Sequence, residues 1–428
     1  MNAMIILFLL VVLMLTGMPI SISLGLTVLS FLFFLTEVPI ESVALKLFTG
    51  IEKFEIMAIP FFILAGNFLT HGGVARRMIA FATSMVGHWY GGLGLGGVLA
   101  CALFAAVSGS SPATVVAIGS ILMPAMVKAG FPKSFGAGVI TTSGALGILI
   151  PPSIVMVMYS VSTNTSVGAL FMAGVVPGII LAFLLGLTTW WRAKKFNYPR
   201  QPKATWGERW VSFRKAVWGL LLIVVVMGGI YSGIFTPTEA AAMSAVYAFF
   251  VAVFVYKDMG LKDVPRVLLS SANMSAMLLY IITNAVLFSF LLTHENIPQQ
   301  MADNMIGTGI GVIGFLLISN VLLLIAGNFM EPSSIVLILA PILFPIAIKL
   351  GIDPVHFGII MVVNMEVGMC HPPVGLNLYV ASGITKMGIT ELTIAVWPWL
   401  LTMLGFLVLV TYWPTMTLWL PRMMGMVA

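Results

Sequence analysis

A proline pair interrupts an apolar run at Pro151-Pro152, and another does so 221 residues later at Pro372-Pro373. The same offset of 221 carries Pro124 to Pro345, Gly130 to Gly351, Gly147 to Gly368 and Pro177 to Pro398. Each interruption follows a short polar stretch, Ser108-Gly109-Ser110-Ser111-Pro112 in the first copy and Asn328-Phe329-Met330-Glu331-Pro332 in the second. Proline inside a helix removes a hydrogen bond and clashes with the preceding turn. An ungapped register of helix breakers over more than fifty residues marks an internal repeat whose copies break their helices at the same place.

The surroundings make the breaks informative. Hydrophobic residues are 60% of the 428 and charged residues 8%, and mean hydropathy is +1.10. A soluble domain carries roughly 25% charged residues. No globular core hides this much apolar surface, so lipid is the solvent for most of the chain. The net charge of +6 is mostly local and does not point to nucleic acid. Cys101 and Cys370 lie in apolar runs without metal-ligand spacing, and a disulfide between them is open but unsupported. The five histidines form no metal-spaced pair. Gly92-x-Gly94-x-x-Gly97 matches the dinucleotide fingerprint by letter but has no strand before it. Met1 to Thr16 has no basic region or small-residue cleavage site and reads as a retained span.

A crossing needs ~20 apolar residues. The first half predicts spans over 3–17 and 19–36, parted at Gly17-Met18-Pro19, and over 55–72, then an amphipathic piece from His71 to Trp89. Residues 91–107 and 113–127 are short for crossings, and the polar tip between them carries no charge. They predict a re-entrant hairpin, because irregular backbone at membrane depth is tolerated only inside protein or along a cavity. A discontinuous span over 134–160 and a span over 167–191 follow. Residues 192–215 hold eight of the twenty basic residues against one acid, Glu208. The positive-inside rule predicts this linker in the cytoplasm. The second half predicts spans over 216–233, 237–256 and 269–293, an amphipathic piece over 294–308 and a hairpin over 309–348. A broken span over 353–384 and a last span over 392–418 complete it.

The expected fold class is an all-α polytopic membrane protein with two inverted-topology repeats. Each has five spans, one re-entrant hairpin and one discontinuous helix. Repeat one is 1–191, with scaffold spans in 1–90 and hairpin and transport elements in 91–191. Repeat two is 216–428, with scaffold spans and an arm in 216–308 and hairpin and transport elements in 309–428. Five crossings are odd, so the halves insert with opposite orientations. With the linker inside, Arg76, Arg77, Lys128, Lys133, Lys257, Lys262, Arg266 and Lys386 fall inside too. Glu37, Glu41, Glu52, Glu295, Asp303 and both termini fall outside, and Arg422 is the exception.

Inverted repeats with broken helices are the plan of secondary transporters, whose sites lie where the repeats meet. A broken helix frees carbonyl oxygens for Na⁺, and a half-helix N-terminus offers N–H groups to an anion. The expected Na⁺ sites are two. One uses Ser108, Gly109, Ser110 and Ser111 with Ser143 and Gly144; the other uses Gly327 and Asn328 with Gly368, Met369 and Cys370. Ser111, Thr114, Glu331, Ser333, Ser334 and His371 are the candidates for a substrate carboxylate between the tips. Isolated glycines in membrane helices otherwise serve close packing. Glu366 is open to three roles: Na⁺ ligand, proton carrier, or acceptor for freed N–H groups of its own helix. His371 is open to a structural hydrogen bond as well as to substrate. Asp353 and Glu239 read as ordinary acids near an interface.

The tip Ser108-Gly-Ser-Ser-Pro-Ala-Thr114, the break Gly147-Ile-Leu-Ile-Pro-Pro-Ser153, Gly233-Ile-Phe-Thr-Pro-Thr-Glu-Ala240 and Pro372-Pro-Val-Gly-Leu-Asn377 resemble the large membrane subunit of TRAP transporters. These are tripartite ATP-independent periplasmic transporters. The resemblance spans essentially the whole chain. It implies Na⁺-driven uptake of an organic anion across a bacterial inner membrane by an elevator motion. It also implies a small four-helix membrane subunit and a soluble periplasmic substrate-binding protein as partners. The Cys370-His371-Pro372-Pro373 variant looks more like the sialic acid branch than the dicarboxylate branch. The alternatives within the class are a C4-dicarboxylate or other organic-acid subunit of the same family, and a single-component Na⁺/anion symporter of the same fold. A membrane enzyme would need an Asp pair, a Ser/His pair or an Asp-rich metal site, and none is convincing here, so no enzymatic activity is expected.

Overall fold

The computed structural model describes residues 2–36, 38–307, 309–372 and 375–427. Glu37, Thr308, Pro373 and Val374, all within stretches read above, lie outside the described residues, as do both terminal residues. The regular structure among the described residues is helical. The first half runs α1 (Asn2–Leu15), α2 (Ile20–Leu35), α3 (Ile40–Thr49), α4 (Ala58–His71), α5 (Val74–Val86), α6 (Gly92–Ser108), α7 (Ser111–Lys128), α8 (Lys133–Gly144), α9 (Ile154–Thr163) and α10 (Val167–Lys195). The second runs α11 (Trp206–Tyr231), α12 (Pro237–Phe250), α13 (Val264–His294), α14 (Ile297–Gly307), α15 (Val312–Gly327), α16 (Pro332–Lys349), α17 (Pro354–Cys370), α18 (Leu376–Thr385), α19 (Ile389–Tyr412) and α20 (Pro414–Met423). Eight helical stretches among the described residues are long and apolar enough to cross a membrane.

The offset read from the sequence governs helix ends. Adding 221 to Ser111 and Lys128 gives Pro332 and Lys349, the bounds of α16. Departures have local causes. Gly50-Ile51-Glu52-Lys53 parts α3 from α4, whereas Ser271-Ala272-Asn273-Met274 at the same offset continues α13 without a break. Pro414 parts α19 from α20; its counterpart is Ala193, and α10 runs on.

Several expected limits move. α13 begins at Val264, and α3 lies in the 37–54 stretch for which no helix was predicted. Helix also invades the predicted linker, since α10 reaches Lys195 and α11 starts at Trp206. Arg192, Lys194 and Lys195 occupy the last turn of α10, where cations complement the helix dipole. Thr205 and Glu208 form a capping box at the start of α11. The remaining connection is tied down: the Arg200 guanidinium lies 3.3 Å from the Tyr90 ring centre, and Gln201 N donates to the Gly87 carbonyl at 3.1 Å.

Glu239 and Asp353 are structural caps. Glu239 closes a capping box with Thr236 at the start of α12, and Asp353 accepts from Val355 N and His356 N at the start of α17. The broken helices form the centre of the molecule. Every α17 residue from Val355 to Cys370 is buried, as is every α8 residue from Phe135 to Gly144. A helix enclosed on all sides needs no amphipathic stripe. The halves interlock around it: α2 packs on α13, α4 on α12, α8 on α19 and α10 on α17. Large apolar side chains such as Phe8, Phe34, Phe183, Ile394 and Val408 remain exposed on the outer helices, as a lipid-facing surface requires.

The amphipathic α5 is clamped to the segment after α12 by Asp258, which pairs with Arg77 and, at 3.0 Å, with Arg76. Partial burial pushes the Asp258 carboxyl upward, but the hydrogen bond and charge of Arg77, aided by Arg76, hold it below the usual carboxylate range. A pKa depressed by folding stabilises above the unfolded value, and that stability is lost as pH falls through the folded value. Asp258→Asn is expected to lower the melting temperature at pH 7 and to lose its difference from wild type as pH falls below the carboxylate range. Melts across that range check this, and a difference that persists or grows at low pH would contradict it.

Candidate functional site

The first tip is built from α6, which ends at Ser108, and α7, which starts at Ser111. Gly109 turns the chain at φ +60°, a conformation glycine adopts without strain. Thr114 Oγ1 donates to the Ser110 carbonyl at 2.9 Å and shares a 2.8 Å hydrogen bond with Ser108 Oγ. In the second tip, Glu331 opens α16. Ser333 Oγ donates to Glu331 Oε1 at 2.6 Å and Ser334 Oγ to Oε2 at 3.4 Å. Three side chains expected to face substrate therefore satisfy one another here.

Each tip closes on the break of its own repeat. In copy one, Ile154 N donates to the Gly109 carbonyl at 3.4 Å, and Gly147 lies against the Ser110–Ser111 backbone. The break includes the cis Pro151-Pro152 peptide. In copy two, the Asn328 amide nitrogen donates to the carbonyls of His371 (3.0 Å) and Pro372 (3.2 Å), the orientation in which donor meets acceptor. Gly327 and Gly368 meet backbone to backbone; a Cβ on Gly368 would lie 2.8 Å from Gly327 Cα. The second expected pairing, Gly327 and Asn328 with the α17 end, is thus in contact. The first is shifted: Gly144 packs on Val115, one turn inside α7, and Gly147 takes the place at the tip. Pro373 lies outside the described residues.

The repeats join through Asn377, at the start of α18, to which no role was assigned from the sequence. Its Nδ2 donates to Ser111 Oγ at 2.7 Å and to the Thr141 carbonyl at 3.3 Å, and lies 3.7 Å from Cys370 Sγ. Cys370 Sγ also reaches the Thr141 carbonyl, at 3.4 Å. The available signal was a lone amide just after a proline break. Five buried oxygens on these elements have no hydrogen-bond partner among the described residues: Ser143 Oγ, Asn364 Oδ1, Asn377 Oδ1 and both oxygens of Glu366. Glu366 lies one turn before Cys370 on α17 and is fully buried. A buried carboxylate without a partner is too costly to stay charged alone. A cation or a proton resolves it. Oxygen atoms of carboxylate, amide and hydroxyl groups are ligands that hard cations take. A second buried chain links α17 to α15 and α19: Asn364 donates to Asn320 Oδ1 at 2.8 Å, and Asn320 to Thr411 Oγ1 at 2.9 Å. Sequence reading assigned these no role either.

Long apolar helices enclosing two polar tips and two broken helices define a polytopic membrane permease. The chain belongs to the family described as Tripartite ATP-independent periplasmic transporter, DctM component, which matches residues 7–416. It is 76% identical over 440 aligned residues to the C4-dicarboxylate TRAP transporter large permease protein DctM of Rhodobacter capsulatus, covering 100% of both chains. It is 56% identical to the protein of that name in Pseudomonas aeruginosa, covering 90% of this chain and 91% of that one. The sialic acid TRAP transporter large permease protein SiaM of Vibrio cholerae is 36% identical, with 96% of each chain covered. The solved Alcanivorax borkumensis YdaH transporter matches with TM-score 0.61 at 16% identity, over 89% of this chain and 90% of that one. That last likeness bears on the fold alone. Family members are permeases, not enzymes, and work as one component of three.

Proposed function

We propose that this chain is the permease of a system that takes up C4-dicarboxylates across the bacterial inner membrane, driven by Na⁺. The observation that carries the substrate is the full-length 76% identity to a C4-dicarboxylate permease. The same comparison supports the dicarboxylate alternative better than the sialic acid expectation drawn from Cys370-His371, since the sialic acid relative stands at 36%. The small four-helix membrane subunit and the periplasmic binding protein remain the proposed partners. The linker is cytoplasmic in this reading and the termini periplasmic.

Na⁺ coupling draws support from the orphaned oxygens of Ser143, Asn377 and Glu366 beside the first tip and the α17 end. Each half-helix N-terminus at a tip offers N–H groups to a substrate carboxylate. Tips and broken helices would move together past the remaining spans as an elevator, because each tip is bonded to its own break.

The test is uptake of labelled succinate into proteoliposomes holding this chain and its small membrane partner, with and without binding protein, under an inward Na⁺ gradient. Uptake requiring both Na⁺ and binding protein is expected. Uptake without binding protein would favour a single-component symporter, and uptake of sialic acid in place of succinate would reverse the substrate assignment.

A further inference from the structure

A cavity of about 370 Å³ lies between α3, α9, α13 and α16, away from the tips. Its lining includes Lys46, Lys53, Thr49, Asn164, Ser289 and Thr293 and no carboxylate. Small-molecule sites start at roughly this size, ~300 Å³. Lys53 Nζ donates to the Val161 carbonyl at 2.5 Å and to Asn164 Oδ1 at 2.7 Å, both neutral acceptors. Burial pulls the Lys53 ammonium below its ordinary value, and the charge of Glu55 opposes this only in part. Lys46 Nζ sits 5.3 Å from the Phe290 ring centre. Neither lysine is in an ion pair among the described residues.

One lysine would suffice to cap the last turn of α9. Two lysines line a polar cavity that no carboxylate lines, and the charge of Glu55 offsets Lys53 only in part, an arrangement that calls for an anion. A dicarboxylate offers one carboxylate to each. A carboxylate is also a stronger acceptor for an ammonium than the carbonyl and amide that Lys53 now holds.

We propose that this cavity is a carboxylate-binding site, separate from the hairpin tips, which holds a small dicarboxylate between Lys46 and Lys53. Binding there draws Lys53 off Val161 and Asn164. Val161 is in α9 and Asn164 caps its C-terminal end, while Lys53 follows α3. Under the elevator reading, on which this consequence rests, the exchange releases the moving half from the fixed one. The site itself stands on the cavity and its charges.

The test uses Ser289→Cys in the permease with its small membrane partner, reconstituted in lipid. Cys101 and Cys370 are both buried, so the new thiol is the expected reporter. An anionic thiol reagent is expected to label it about fivefold faster than a cationic one, each normalised to a free thiol. Adding succinate is expected to slow labelling at least about threefold, as occupancy excludes the reagent. Lys46→Gln with Lys53→Gln should abolish both effects. Equal reagent rates, or succinate protection that survives the double replacement, would overturn the proposal. So would protection that follows the phosphatidylglycerol content of the bilayer and ignores succinate, since the anion would then be a lipid headgroup. Uptake measured in the same vesicles separates the two readings. Protection without any uptake would leave this site intact and sink the transport reading. Uptake without protection would do the reverse.

Discussion

Gly147→Ala and Gly368→Ala are each expected to reduce Na⁺-dependent succinate uptake by at least about 100-fold, the upper range for inserting a methyl where nothing can yield. A Cβ on Gly147 would lie 2.5 Å from the Ser110 carbonyl oxygen, 2.7 Å from its carbon and 2.8 Å from Ser111 N. A Cβ on Gly368 would lie 2.8 Å from Gly327 Cα and 3.2 Å from Gly327 C. All are backbone atoms of the hairpins, so the tips must move away from their breaks. Gly228→Ala is the matched control: it lies in α11 with nothing within 4 Å of the added carbon, and alanine favours helix. It should transport within about twofold of wild type. Uptake assays on the three variants, with melting temperatures to confirm folding, decide the matter. Near-normal transport by both Gly147→Ala and Gly368→Ala would mean that close tip-to-break contact is not needed for function.

The second large effect is expected at Asn377. Asn377→Ala removes the donor to Ser111 Oγ and the Thr141 carbonyl, and also an orphaned amide oxygen. A buried polar group left without its partner costs about 1–3 kcal/mol. If the oxygen helps to hold Na⁺, the Na⁺ concentration for half-maximal uptake should rise about 5- to 150-fold, which is that range expressed as affinity. The succinate concentration for half-maximal uptake at saturating Na⁺ should change much less. Titrating Na⁺ and succinate separately on wild type and variant distinguishes the cases. An unchanged Na⁺ titration would remove Asn377 from the ion site and leave it a packing role.

These residues differ in how visible they were. The glycines at 147 and 368 stood out because they recur at the repeat offset and precede proline pairs. Asn377 carried no such mark, as its counterpart at that offset is Met156. Ser333, Ser334 and Glu331 were legible as a polar group, but not as a group closed on itself. Asn320 and Asn364 passed as isolated polar residues in apolar runs because their partners are 91 and 44 residues away. Lys46 and Lys53 stand among Glu41, Glu52 and Glu55 in the sequence, and nothing in their spacing marks a shared cavity.

The sequence by itself determined the solvent, the repeat and the breaks. Each follows from local chemistry: apolar composition demands lipid, and Pro151, Pro152, Pro372, Gly109 and Gly147 act on the backbone within a turn of where they stand. Only the tertiary structure decided which oxygens are left unpaired and which tip meets which helix. The Asn377 amide finds Ser111 across 266 residues of chain. A contact of that span depends on how enclosed helices pack, and α8 and α17, buried on every side, carry no stripe in their sequences to say which neighbour each face will meet.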